Sequence, residues 1–400
     1  MRLYTQDEEE RIRAQTLVRE WTRSKLIDPS QGARLEAELR ADLKRTNVFL
    51  RAGLALFTLL IVTASVLFVG VGLNLHGDLP IAAVSGVAAL VCIGLAEVVV
   101  AQLRFYRFGV EEALAIAAVL LLAVSGAVLA STFHIVGPGD VALAAGFLIG
   151  AAGGLGVYRR FGLVYAAIGG MVCAAAIPFQ LDLSATARHV LAAATFAAVF
   201  LVVRPKQLRY RDEYPGDEYG LLQAAAWAGL YIALNLQLSG ARMDSFFYGS
   251  SYATAAGRIE GFFYWFTYVM TWVLPIVGLS LGIRGKDRPL IDVSLVMALV
   301  TLLTNKAYLG WPRHTWDPIL LGIFLMAVAL VVRRWLSNGP GGRRGAFTPA
   351  RILSKDHEAL TLLTAASMKF QPDVPASRPD PVKSGFDGGR SGGGGASGTY

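Results

Sequence analysis

Residues 52–74 read AGLALFTLLIVTASVLFVGVGLN, an unbroken run without one charged side chain. A helix needs about 20 apolar residues to cross the hydrocarbon layer of a bilayer, and this stretch supplies them. Nine more segments of the same character follow, near 81–101, 112–132, 140–157, 162–180, 187–203, 219–238, 262–283, 290–305 and 317–332. The fourth, ninth and tenth are short, and the ninth carries Asp292 near its start. In hydrocarbon the backbone must bond within its own segment, so such runs predict helices. The expected fold is an all-α integral membrane protein of about ten transmembrane helices spanning residues 49–335.

Composition agrees. Of 400 residues, 54% are hydrophobic and 16% charged, where soluble domains hold about half and about a quarter. The net charge of +8 and pI near 9.5 do not point to nucleic acid, because Lys and Arg sit mainly beside the apolar segments. No signal peptide opens the chain, since Met1 to Glu10 carries acidic residues and no apolar core follows. The two cysteines, Cys92 and Cys173, each lie inside a span and read as small apolar residues.

Those charges set the expected orientation. With the N-terminus in the cytosol, the inner loops hold Arg104, Arg107, Arg159, Arg160, Arg204, Lys206, Arg209, Arg211, Arg284, Lys286 and Arg288. The outer side shows Arg188, Arg242, Arg258, Lys306 and Arg313. Eleven against five is a positive-inside bias, and Arg333 and Arg334 stop the last span on the inside. Both termini are therefore expected in the cytosol. Trp311, Trp316 and Trp335 fall at expected interfaces, where such rings are favoured.

Residues 1–48 predict a cytosolic helical hairpin, with helices over 7–25 and 30–46 joined by Leu26-Ile27-Asp28-Pro29-Ser30-Gln31. Asp28 is placed to cap the second helix and Pro29 to open it. Leu35, Leu39 and Leu43 are expected to face Val18, Trp21 and Leu26. The hairpin reads either as a docking module or, with more weight, as a cap before the first span. A basic linker follows Arg334, then a possible amphipathic helix over 349–370 within the segment 336–370. The Pro- and Gly-rich tail 371–400 cannot bury enough apolar area to fold.

The sequence from Trp21 through Leu26-Ile27-Asp28-Pro29-Ser30-Gln31 to a leucine-spaced helix and many spans resembles a bacterial family of predicted integral membrane proteins of unknown function. The likeness covers roughly residues 15–75 and implies a bacterial inner (cytoplasmic) membrane protein without implying an activity. The final glycine run, ending in Tyr400, is similar to the C-termini of some bacterial membrane-anchored proteins that carry a TPM domain. No such domain is visible in the chain.

Candidate chemistry is sparse. Gly278-Leu279-Ser280-Leu281-Gly282 spells G-x-S-x-G, but the nucleophile form needs a strand-to-helix turn and a partner base. Glycines four apart, as Gly278 and Gly282 or Gly146, Gly150 and Gly154, read as helix-packing positions. Glu97 is a proton or cation site or, more plainly, one half of an interfacial pair with Arg104 or Arg107. Trp265, Tyr268 and Trp272 form one helical stripe, read as a pocket for an amphipathic ligand or as a lipid-facing belt. His76, Asp78, His134, Asp140, Asp182, Arg188 and His189 come from three loops without ligand spacing and read as groups capping helix ends in water. Asn235 and Gln237 in the seventh span are uncharged and are read as hydrogen-bonding between helices. Nothing calls for a metal or another cofactor, and no catalytic residue emerges.

Two function classes remain. The favoured one is a non-enzymatic scaffold, sensor or assembly component with cytosolic protein partners at residues 1–48 and 371–400. The other is a small-molecule transporter or permease with Glu97 and the aromatic stripe as its site. Oligomeric state is not fixed by these residues.

Overall fold

A computed structural model describes Tyr4 and residues 6–39, 43–44, 46–72, 74, 77–132, 140–210, 214–238, 261–311, 314 and 316–339. The expectations for the tail and for the helix over 349–370 lie outside the described residues. Every regular element described is a helix: α1 Gln6–Arg23, α2 Pro29–Glu38, α3 Val48–Gly72, α4 Asp78–Leu103, α5 Val110–Thr132 and α6 Asp140–Phe161. They continue as α7 Val164–Gln180, α8 Ala185–Arg209, α9 Tyr214–Leu234, α10 Phe262–Gly285, α11 Arg288–Tyr308 and α12 Asp317–Ser337.

Each of the ten apolar segments is thus a helix, from α3 to α12. Eight of them are long and apolar enough to cross a membrane, the construction of a multi-pass membrane protein. The segments expected to be short prove adequate, with 22, 21 and 21 residues in α6, α11 and α12. The helices that fall below that standard are instead α7 and α9. α7 has 17 residues, about 25 Å at 1.5 Å per residue. α9 opens with the polar stretch Tyr-Pro-Gly-Asp-Glu-Tyr. Both are nevertheless woven into the bundle, α7 against α6 and α9 against α8.

Local chemistry sets the turns. Ser184 caps α8 by accepting from Ala187 N at 3.3 Å, and Gln31 Oε1 accepts from Asp28 N at 3.4 Å ahead of α2. Gly162, at φ +70, makes the tight reversal from α6 to α7 in a left-handed conformation that glycine adopts without penalty. Arg104 and Lys286 end α4 and α10 in the same left-handed region.

Two cores result. The first joins Tyr4 and Ile12 of the N-terminal segment to Cys92, Ala96 and Val100 of α4, Leu114, Ala115, Ala117 and Ala118 of α5, and Val157 and Phe161 of α6. The second joins Met171 and Ala175 of α7, Phe196 and Phe200 of α8, Trp227 and Tyr231 of α9, Leu274 of α10, and Leu290 and Met297 of α11. α3 lies against α4 and α5, and no residue in the apolar windows of α3 and α12 is buried. In a bilayer, lipid covers such faces.

The N-terminal hairpin differs from its expected form. α2 ends at Glu38, and α1 meets it through Gln15, which donates to Leu39 O at 2.6 Å, and through Arg19 paired with Glu36. Gly32 sits under Thr22, where a methyl would lie 2.4 Å from Thr22 Oγ1. Val18 is buried, but Trp21, Leu26 and Leu35 are 41%, 63% and 37% exposed. The leucine spacing misled because the face of α1 that buries, at Glu9, Ile12 and Glu20, is partly polar. Past α2 the chain leaves the hairpin and bridges Lys44 to Phe105 backbone-to-backbone.

Candidate functional site

The helix ends sort the polar contacts into two groups. At one end, Arg51 of α3 donates from Nε to Glu112 Oε2 of α5 at 2.7 Å. Glu111 accepts from Phe108 N at 2.7 Å, Arg107 lies 3.8 Å from Glu218 of α9, and Arg160 of α6 meets Glu97 of α4 at 2.8 Å. The N-terminal segment closes over this end. Tyr4 donates to Phe105 O at 2.8 Å, and Arg104 pairs with Glu8 at 2.6 Å. Burial pushes the Tyr4 phenol up from its ordinary range, and the nearby Glu111 carboxylate adds to the effect.

At the other end the contacts are mostly uncharged. His189 donates from Nδ1 to Ala233 O at 2.9 Å, and Tyr264 donates to Tyr308 O at 2.7 Å. Lys306 donates to Asp317 at 2.6 Å across the turn into α12, which holds the Asp317 carboxyl below its ordinary value.

Between the ends, α9, α10 and α11 enclose a polar seam. α9 supplies Gln223, Trp227, Tyr231 and Asn235, one turn apart, and all four are buried. The α11 side supplies Asp287, Ser294, Thr301 and Tyr308, seven residues apart and therefore on one face, also buried. Gln223 donates to Asp287 Oδ2 at 2.8 Å. Asn235 donates from Nδ2 to the Tyr231 hydroxyl at 3.0 Å and to Thr304 Oγ1 at 3.3 Å. The Tyr231 and Thr301 hydroxyls are 2.8 Å apart, and Thr301 donates onward to Thr271 O of α10 at 2.7 Å. α9 breaks at Asn235. There the Tyr308 hydroxyl accepts from Leu236 N at 2.7 Å, and Asn235 Oδ1 accepts from Gln237 N at 3.2 Å. A helix break in hydrocarbon is tolerated where protein groups take up the freed backbone, as here.

The residues singled out from sequence fall in three places. Glu97 is half exposed at the charged end, and its partner is Arg160 of α6, while Arg104 pairs with Glu8 and Arg107 lies beside Glu218. The aromatic stripe divides. Tyr268 turns inward and donates to Asn305 Oδ1 at 2.9 Å, whereas Trp265 and Trp272 are 55% and 38% exposed on the outer face of α10. The glycines sit at helix contacts. A methyl on Gly154 would lie 2.5 Å from Ala166 O and 2.9 Å from Gly170 Cα, backbone that cannot yield. On Gly146 it would lie 3.0 Å from Ala123 O, and on Gly150 3.2 Å from Cys173 Sγ. On Gly282 it would press on Ile291, and on Gly278 on the Trp227 indole. Ser280 is exposed and bonds back to Ile276 O at 2.8 Å within a continuous helix, so the G-x-S-x-G segment makes no nucleophile turn. Among the described residues no three His, Cys, Asp or Glu side chains could hold a metal ion.

Sequence reasoning picked Asn235 and Tyr268 from this seam and missed the rest. The signal was present as the four-residue spacing from Gln223 to Asn235 and the seven-residue spacing from Asp287 to Tyr308. No protein family, curated protein or solved structure matches the chain.

Proposed function

We propose that this chain is a multi-pass protein of a bacterial cytoplasmic membrane, crossing ten times, with both termini in the cytosol. It acts as a non-enzymatic component, a scaffold, sensor or assembly factor, through its cytosolic side. One observation carries this reading. The ion pairs Arg51–Glu112, Arg107–Glu218, Arg160–Glu97 and Arg104–Glu8 gather at one end, with the N-terminal segment fastened over them. That end is also the one richest in Lys and Arg, as a cytosolic face is. Its contacts make residues 1–48 a cap joined to the bundle, with Trp21, Leu26 and Leu35 left outward for a protein partner.

A reporter fused after Tyr400 is expected to be active only in its cytosolic form. Deleting residues 371–400 is expected to deplete proteins that co-purify with the chain, and an unchanged partner set overturns the role given to the tail. A second reading, a small-molecule transporter or permease, is favoured by the polar seam of α9, α10 and α11. The pairing of Glu97 with Arg160 moves its site away from Glu97 and into that seam.

A further inference from the structure

Cations at the charged end are not all alike. Arg51, Arg104, Arg107 and Arg160 each face a glutamate. The last two turns of α8 carry three more, Arg204, Lys206 and Arg209, and among the described residues none of these meets a carboxylate. They stand at the same end, because Val203 beside them packs with Val164, at the start of α7, and with Leu222, one turn past Glu218 on α9.

Two of the three rest on rings. The guanidinium carbon of Arg204 lies 5.8 Å from the centre of the Phe200 ring, and that of Arg209 lies 5.5 Å from the centre of the Tyr210 ring. A guanidinium laid on a ring keeps its N–H edge for another acceptor. The residues around these cations are apolar and uncovered. Val202, Lys206 and Arg209 follow at spacings of four and three, one stripe of the helix surface, and Leu201 and Leu208 run beside them. All five are exposed, while Val203 and Gln207 turn another side of α8 inward. The exposed face therefore passes from hydrocarbon to cation within about one turn, roughly 5 Å.

From this arrangement we infer that the end of α8 binds an anionic phospholipid of the adjacent leaflet, with its phosphate between Lys206 and Arg209 and an acyl chain along Val202 and Leu201. The inference goes beyond the roles proposed above and rests only on the chain being a membrane protein. Basic side chains at a headgroup surface attract anionic lipid. An acidic peptide would satisfy the cations but has nothing to lay against Leu201 and Val202, which lie a turn deeper in the span. The negative end of the α8 dipole favours these cations as well, but that attraction occupies none of their N–H donors. A choline headgroup offers the same phosphate together with a cation of its own, which Lys206 and Arg209 repel, so the net charge of the lipid decides.

Native mass spectrometry of the full-length chain in detergent tests this, with equal amounts of dioleoylphosphatidylglycerol and dioleoylphosphatidylcholine as probes. The glycerol lipid, whose headgroup adds no cation, is expected to be retained several-fold over the choline lipid. Lys206→Gln with Arg209→Gln is expected to bring the two to parity, and Lys206→Arg, which keeps the charge, to leave the preference in place. Arg284→Gln with Lys286→Gln, exposed cations that end α10, is expected to keep it too. Each variant is checked for the melting transition of the parent, and Arg209→Gln alone, with a partial loss expected, stands in should the double variant melt early. Equal retention of the two lipids by the parent overturns the anionic class. Displacement of the lipid by inorganic phosphate at the same concentration makes the free anion the ligand and overturns the lipid. An undiminished preference in folded Lys206 and Arg209 variants, or an equal loss in the α10 variant, overturns the site.

Discussion

The helices of the first core and those of the second solve one problem in two ways. In lipid there is no hydrophobic force between helices, so specific packing comes from close backbone approach or from hydrogen bonds. The first core uses backbone approach, and carries it to its border with the second. α5 and α6 meet at Gly146, Gly150 and Gly153, and the α6–α7 crossing between the two cores brings Gly154 against Gly170 Cα at a would-be methyl distance of 2.9 Å. Its charges are confined to the end beneath Tyr4. The second core uses glycine differently, at Gly229 and Gly278, where an aromatic ring, Phe196 or Trp227, rather than another backbone fills the space. Hydrogen bonds from Tyr231, Asn235, Thr301 and Thr304 then join its helices. Steric fit, one buried bond from Ser125 to Ala82 O and the ion pairs at its end hold one half, while the other half keeps a row of polar groups inside the bundle. Interior polar groups are costly to maintain, and the half that maintains them is where solute recognition is expected.

The largest effect that separates the halves is expected at Gly154. Gly154→Val must displace the Ala166 carbonyl and Gly170, and overpacking of this kind costs about 3 kcal/mol or more. Loss of the folded species in detergent, read by size exclusion and melting, checks it. Gly156→Val, two residues on, meets nothing within 4 Å and should melt like the parent. Equal behaviour of the two variants would remove the steric account of the first half.

Next comes the charged end of the same half. Arg51→Met strands the buried Glu112 carboxylate, and removing one member of a buried pair costs about 3 kcal/mol. The double variant with Glu112→Gln should recover much of that loss in a melting experiment, and no recovery would mean the pair is not coupled.

Tyr231→Phe in the second half should cost only about 1 kcal/mol, since interhelical hydrogen bonds in lipid are weak. Thr301 still reaches Thr271 O, and Asn235 still reaches Thr304. A loss as large as that of Gly154→Val would show the seam to be a packing element first.

The smallest effect belongs to the Lys306–Asp317 tie. A carboxyl held below its ordinary value stabilises the fold above the unfolded-state pKa of about 3.9 and ceases to do so as pH falls through the depressed value. Asp317→Asn should therefore melt slightly below the parent at pH 7, and the difference should close in strong acid. A difference that grows on acidification would contradict the sign.

The spans were readable because lipid imposes one requirement on every residue of a segment. The run at 52–74 announces α3 without help from any neighbour, and the same held for the other nine helices. Their relative lengths were less readable. α7 ends at Gln180 by way of Pro178, and α9 begins in a polar stretch, which average hydropathy over a window blurs. The seam was legible only in part. Asn235 stood out as an amide in an apolar run, but Thr301 and Ser294 resemble the many hydroxyls that bond back to their own helix. Only the facing of α9 against α11 turns them into partners. Glu97 shows the same limit, for its near neighbours in sequence, Arg104 and Arg107, lost to Arg160 from another helix.

Whether all ten helices cross is tested most directly at the turn between α7 and α8. Asp182→Cys, in a chain whose Cys92 and Cys173 are replaced by alanine, puts one thiol in that exposed turn. If α7 crosses despite its 17 residues, intact cells treated with a membrane-impermeant maleimide will label this thiol from outside. Labelling only after the membrane is opened would place the turn in the cytosol, leave eight crossings, and contradict the account.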